Sequence, residues 1–161
     1  MTEKGHSHPD VPGELKAPAG ERLIFIAHAS GSQIYMCQQE KDGRFAWILK
    51  APEAELCDDQ GNIIGYHFAG PSWRHNDGSV VTGKAVARVD APNSDSIPWL
   101  LINAVGFTGR GIFTGVTTIQ RLNTTGGQPT AATECSTSTD NTEVKVGYTA
   151  DYYFYASEAN T

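Results

Sequence analysis

The sequence has little positive charge and no long hydrophobic run. It contains 12 Lys and Arg against 18 Asp and Glu, which gives a formal net charge of −6. An acidic chain without a basic cluster is a poor candidate for binding nucleic acid or an anionic membrane surface. None of its apolar runs approaches the roughly 20 residues that a membrane-spanning helix requires. We therefore expect neither a nucleic-acid partner nor a membrane span.

Motifs of the common enzyme classes are also missing. There is no GxSxG around a nucleophilic serine, no HExxH of a zinc enzyme, and no glycine fingerprint between a strand and a helix for a dinucleotide. The three cysteines, Cys37, Cys57 and Cys135, have spacings that fit no zinc ribbon or finger. Their odd number allows at most one internal disulfide.

Short segments typical of β-strands make up most of the chain. RLIFIAHAS (22–30) is apolar on both faces, and the turn SGS separates it from QIYMCQQ (33–39). The turns KDG, DQGN and NDG divide the segments that follow, and SVVTGKAVARVD (79–90) alternates, with Val81, Ala85, Ala87 and Val89 on one face. This pattern predicts an all-β protein, a single antiparallel β-barrel or sandwich of about nine to ten strands.

One segment departs from the strand pattern, and the termini differ from the rest in composition. Pro98 suits the first turn of a helix, so WLLINAV after it could form one short helix, although a strand is not excluded. Residues 1–20 contain prolines and glycines but almost no large apolar residue. We expect a flexible N-terminal arm over 1–20, one β domain over 21–157 and a C-terminal tail over 158–161.

Polar side chains interleaved in apolar strands form the best candidate site. In IQRLN (119–123), Gln120 alternates with Ile119 and Arg121 and could be a polar group in an otherwise apolar interior. Buried polar groups in one barrel must satisfy one another or a ligand. We therefore expect a pocket for a small, partly aromatic ligand. Its expected lining residues are His28, Gln33, Tyr35, His67, Trp73, Gln120 and Tyr153.

Two other functions stay open at this point. An enzyme on the same scaffold, either metal-assisted or a cofactor-free lyase or isomerase, would use His28 or His67 as its acid or base. Both the ligand-binding hypothesis and the enzyme hypothesis predict that these two histidines approach each other in a concave pocket. The third hypothesis is a structural coat or matrix protein that assembles through Thr- and Tyr-rich strand faces. The sequence does not predict the oligomeric state.

No cofactor is predicted, and a metal ion is a less favoured alternative. A zinc or copper site needs three or four converging ligands. His28, His67 and either His75 or Asp77 could supply them from separate hairpins. Nothing in their spacing shows that they converge.

Six segments together resemble one family. They are IAHASGSQIYMC, FAWILKAPEAELCDDQGN, HFAGPSWRHNDGS, IPWLLINAV, IQRLNTTGG and YTADYYFY. With them the chain resembles, over about residues 18–156, the family catalogued as domain of unknown function 3455, whose members have no agreed activity. Members similar to this chain tend to carry cysteines at the positions of Cys37 and Cys135. The resemblance thus implies a Cys37–Cys135 disulfide and leaves Cys57 as a free, buried thiol.

The resemblance also bears on the location of the protein in the cell. The polar N terminus shows no secretory signal peptide. Members of the family occur in bacteria and fungi and mostly carry such signals. The resemblance therefore implies an extracellular or periplasmic protein whose leader has been removed, with a cytoplasmic location as the alternative.

Overall fold

The computed structural model describes residues 8–129 and 134–158. Eight antiparallel strands follow one another around a closed barrel, and the last strand pairs with the first. The strands are β1 (Glu21–Gln39), β2 (Phe45–Cys57), β3 (Ile63–Phe68), β4 (Ser72–His75), β5 (Val80–Val89), β6 (Trp99–Thr108), β7 (Val116–Gly126) and β8 (Glu143–Ser157). The predicted all-β class is confirmed, and the architecture is a barrel.

The described residues contain eight strands, where the sequence predicted nine to ten. The difference arises partly in β1, because the predicted turn SGS lies inside one continuous 19-residue strand. Gly31 in that turn pairs with Ala54 of β2, and a Cβ added to Gly31 would lie 2.2 Å from the carbonyl oxygen of Glu53. Glycine at this position therefore permits a close approach of two backbones and does not end the strand.

The helix considered after Pro98 is instead strand β6. Its residues pair with β5 on one side and β7 on the other. Ile102 packs in the barrel interior, whereas Leu101 packs on the outer face against the N-terminal segment. Both faces of this strand are thus covered by apolar groups. A continuous apolar run of this kind has no alternation by which to distinguish a strand from a helix.

The main core packs inside the barrel. Trp73 and Tyr152 are almost completely buried inside, and the rings of Phe113 and Phe154 stack with centroids 4.6 Å apart. Phe113 belongs to the segment between β6 and β7, so this segment contributes directly to the core.

The N-terminal segment covers part of the outer face. A short 3-10 turn at Gly13–Leu15 places the fully buried Leu15 in a second apolar cluster with Val11 and Leu122. Within the described part of the predicted arm, Val11 and Leu15 therefore pack on the barrel, while most of the other residues are exposed. Residues 1–7 of the arm and 159–161 of the tail lie outside the described residues.

A disulfide joins Cys37 near the end of β1 to Cys135, as the resemblance implied. Two backbone hydrogen bonds support the same junction: the N–H of Cys37 donates to Thr142, and the N–H of Asn141 donates to Cys37. Cys57 is free, but it is partly exposed and not buried as expected. It lies at the last position of β2, next to an irregularity in the pairing with β3. Within the described residues, no helix is long and apolar enough to cross a membrane.

Candidate functional site

A cavity of about 340 Å³ reaches into the barrel and is open to solvent, where the exposed residues Leu49, Lys50 and Ala85 line it. Apolar side chains make up much of its wall, and five polar or charged side chains line it, the exposed Lys50 and four others. The four others are Gln33, His67, Arg121 and Tyr152, and the apolar wall includes Leu49, Pro52, Pro71, Trp73, Ala85, Leu100 and Ile102. An apolar cavity with a few polar groups is the usual composition of a small-molecule site.

His67 is held in the interior by stacking and by one hydrogen bond. Its ring stacks on Trp73 with centroids 4.5 Å apart, and Tyr152 lies 5.0 Å away. Nδ1 lies 2.8 Å from the carbonyl oxygen of Ser72, which can only accept, so Nδ1 carries the proton. Burial lowers the pKa of His67 to about 3, against the opposing effect of this hydrogen bond. The ring is therefore neutral at pH 7, and its Nε2 is an acceptor.

The interior polar groups do not all satisfy one another. The hydroxyl of Tyr35 donates to the carbonyl of Gly127, and the hydroxyls of Tyr148 and Tyr152 lie 3.2 Å apart. In contrast, the indole N–H of Trp73 is buried with no hydrogen-bond partner among the described residues. The interior therefore contains more hydrogen-bonding capacity than its own groups use.

Arg121 places a permanent positive charge beside the cavity. It lies opposite Leu100 of β6 and Tyr152 of β8 in the barrel register. Its Nε and Nη2 atoms donate to the carbonyl oxygen of Pro98 at 3.1 and 2.9 Å. Burial raises the pKa of Tyr152, and the charge of Arg121 opposes that shift. No carboxylate of the described residues forms an ion pair with Arg121.

The chain belongs to the family described as protein of unknown function (DUF3455), which matches residues 18–156. No curated protein and no solved structure matches the chain. The family resemblance is thus confirmed for this DUF3455 protein.

Of the seven predicted lining residues, Gln33, His67 and Trp73 line the cavity of the DUF3455 barrel. Tyr35 is also interior, on the same face of β1 as Gln33. The remaining three predicted residues, His28, Gln120 and Tyr153, belong to the outer face and are not part of the cavity.

Gln120 is buried on the outer face, where it serves the N-terminal segment. Its amide nitrogen donates to the carbonyl of Leu15 at 2.7 Å, and the hydroxyl of Tyr155 donates to its amide oxygen at 2.6 Å. Tyr153, its partner in the β8 register, packs against the Leu15 cluster. Gln120 and Tyr153 thus hold the N-terminal segment against the outer face of the barrel. The neighbouring Arg121 lines the cavity and was not among the residues predicted from the sequence. Because both faces of β7 are covered, alternation alone could not identify the inner one.

His28 also points away from the interior. Its Nδ1 lies 2.7 Å from Asp151, and its Nε2 lies 2.6 Å from Asp59. These two carboxylates raise the pKa of His28. On the inner face of β1, small Ala27 stands opposite the ring-bearing Tyr152 in the register. The predicted approach of His28 to His67 is therefore wrong, because successive residues of β1 face opposite sides.

His75 and Asp77 contact the segment between β6 and β7 and have a structural role there. His75 contacts Phe113 edge to face, with centroids 5.9 Å apart. Asp77 accepts hydrogen bonds from Ser79 and from the N–H of Ile112. Across residues 8–129 and 134–158, no three His, Cys, Asp or Glu side chains lie together as metal ligands. The structure therefore does not bring His28, His67 and His75 or Asp77 together.

Proposed function

We propose that this protein binds a small, partly aromatic ligand in the interior of its barrel. The observation that carries the proposal is the cavity of about 340 Å³ between the Trp73–His67 stack and Arg121. Eight-stranded antiparallel barrels are just wide enough for their side chains to fill the interior or for one small ligand to enter it. The cavity volume falls at the lower end of the range typical of small-molecule sites.

Two features of the wall support an aromatic ligand. The indole of Trp73 and the side chains of Leu100 and Ile102 provide flat and aliphatic surfaces for a ring. The amide of Gln33 and the acceptor Nε2 of His67 provide hydrogen bonds that would orient it. Because His67 has a pKa of about 3, it is a weak base at neutral pH. This chemistry favours binding over acid–base catalysis by His67.

A cavity-blocking substitution tests the proposal. Ala85 of β5 lines the cavity at its solvent-exposed rim, so Ala85→Phe would place a ring across the opening that a ligand must enter. Val86, the next residue, is exposed on the outside, so Val86→Phe adds a ring of the same size outside the cavity. Isothermal titration calorimetry with 2-naphthoate and, separately, 2-naphthamide measures binding to each protein.

We expect the wild type and Val86→Phe to bind at least one of the two probes at one equivalent. We expect Ala85→Phe to keep the circular dichroism spectrum of the wild type and to lose binding. If neither probe binds the wild type, or if the folded Ala85→Phe variant binds as well as Val86→Phe, the cavity is not a site for small aromatic ligands.

We also propose that the protein acts outside the cytoplasm. The Cys37–Cys135 disulfide supports this location, since disulfides persist mainly in oxidising compartments. Cell fractionation with thiol labelling tests it. We expect the protein in the exported fraction with Cys57 as its free thiol. A cytoplasmic protein with all three thiols labelled would contradict the proposal.

A further inference from the structure

We propose that the ligand carries a single carboxylate, which Arg121 binds inside the barrel. This inference rests on the proposed function, because it names the chemical class of the ligand for the same cavity. It begins from a contrast of charge. The chain as a whole is acidic, with a formal net charge of −6, yet among the described residues no Asp or Glu lines the cavity, whereas Arg121 and Lys50 do.

The two cations are not equivalent. Lys50 forms an ion pair with Glu143, so its charge is already compensated. Arg121 has no carboxylate partner among the described residues and is partly buried. Its guanidinium remains charged at every physiological pH, so it cannot avoid the cost of burial by losing a proton. A negatively charged ligand group would compensate for this charge.

The orientation of Arg121 suits a planar anion. The Pro98 carbonyl accepts from Nε and Nη2, which fixes the plane of the guanidinium. Of the five N–H groups of an arginine, those not directed at Pro98 can donate to further acceptors, of which the Tyr152 hydroxyl is one. A carboxylate can accept two parallel hydrogen bonds from such a fork. The hydroxyl of Tyr152 and the amide of Gln33 line the same cavity and could complete the binding of the anion.

A monoanion fits this site better than a phosphate ester. One uncompensated arginine balances one negative charge, whereas a phosphate monoester carries a charge of about −1.5 to −2 near pH 7. The rest of the wall is largely apolar and supplies no further free cation among the lining residues. An aromatic ring against Trp73 and a carboxylate at Arg121 would use both parts of the cavity.

The test compares 2-naphthoate with 2-naphthamide, which has nearly the same shape but no charge. We expect the wild type to bind 2-naphthoate at least tenfold more tightly than 2-naphthamide. Arg121→Gln should lower the affinity for 2-naphthoate at least tenfold and leave that for 2-naphthamide within about threefold. Arg88→Gln, an equal change of net charge at an exposed position of β5, should leave both affinities unchanged.

The outcomes separate the two proposals. Binding of both probes with equal affinity by the wild type would leave the proposed function standing and overturn the carboxylate inference. Failure of both probes to bind would overturn the proposed function, and the inference with it. Since the comparison of the two probes is made first on the wild type, it does not depend on the folding of Arg121→Gln. If that variant folds and keeps the preference for 2-naphthoate, Arg121 is not the anion site.

Discussion

The carboxylate of Asp77 links the turn before β5 to the segment between β6 and β7. We expect its replacement by an amide to lower the free energy of unfolding. One oxygen accepts from both the N–H and the hydroxyl of Ser79, at 2.9 and 2.6 Å. The other accepts from the N–H of Ile112 at 2.7 Å. Ile112 precedes the fully buried Phe113, so the carboxylate holds the segment that closes the core. Asp77→Asn would remove the charge and turn an amide nitrogen toward at least one of these donors.

The size of the effect follows from the pKa of this group. Burial alone would raise it, but the hydrogen bonds from Ser79 and Ile112 outweigh burial and lower the pKa of Asp77 from 3.8 to about 2. At about 1.4 kcal/mol per pKa unit, this shift corresponds to roughly 2.5 kcal/mol of stabilisation at neutral pH. The side chain is 34% exposed, so solvent screening reduces the expected loss to about 1–2 kcal/mol.

Urea unfolding at several pH values measures this loss. Because the folded pKa lies below the ordinary value, the stabilisation is present above about pH 4 and declines as the pH falls toward 2. The difference in unfolding free energy between wild type and Asp77→Asn should thus be largest near pH 7 and smaller at pH 3. Asp95→Asn, at an exposed turn position, should show neither effect. A difference below about 0.3 kcal/mol at pH 7, or one that stays constant down to pH 3, would refute the reasoning.

Three further predictions concern the rest of the fold. Leu15→Ala should lower the free energy of unfolding by about 2–4 kcal/mol, because Leu15 is fully buried where the N-terminal segment packs on the barrel; urea unfolding checks this, and a loss below 1 kcal/mol would mean that the segment contributes little. Replacing Cys37 and Cys135 by serine should cost up to about 4–5 kcal/mol, since the disulfide spans 98 residues; an unchanged urea midpoint would contradict this value. NMR titration should place the pKa of His28 above 6.5. Its ion pairs therefore stabilise the fold below pH 6.5 and lose this effect as the pH rises through the raised pKa. Asp151→Asn should lower the pKa of His28, and an unchanged pKa would show that Asp151 does not stabilise the protonated ring.

Strand content and most turns could be predicted from local sequence, because alternation and turn residues act over a few positions. The SGS turn was wrong, because Gly31 lies within the continuous strand β1. The inner face of a strand could not be predicted where both faces are covered. In β7, Gln120 contacts the N-terminal segment and Arg121 lines the cavity. Both side chains are polar, so polarity alone does not decide which of them faces the interior. The choice depends on the distant segment that covers the outer face.

The inner face of a strand also could not be predicted beyond a β-bulge. Val81, Ala85, Ala87 and Val89 were expected on one face of β5, but the register shifts between Ala85 and Ala87. Ala85 therefore lines the cavity, while Ala87 and Val89 pack outside against the Leu15 cluster. One extra residue reverses the inward and outward positions of everything after it.

The disulfide was predicted from the family resemblance, because the number of cysteines alone left the pairing open.

A crystal structure of the protein grown with 2-naphthoate tests the central claim most directly. We expect one probe inside the barrel, with its ring beside Trp73 and its carboxylate hydrogen-bonded to Arg121. An interior filled by the protein's own side chains, or a probe bound only on the outer surface, would contradict it.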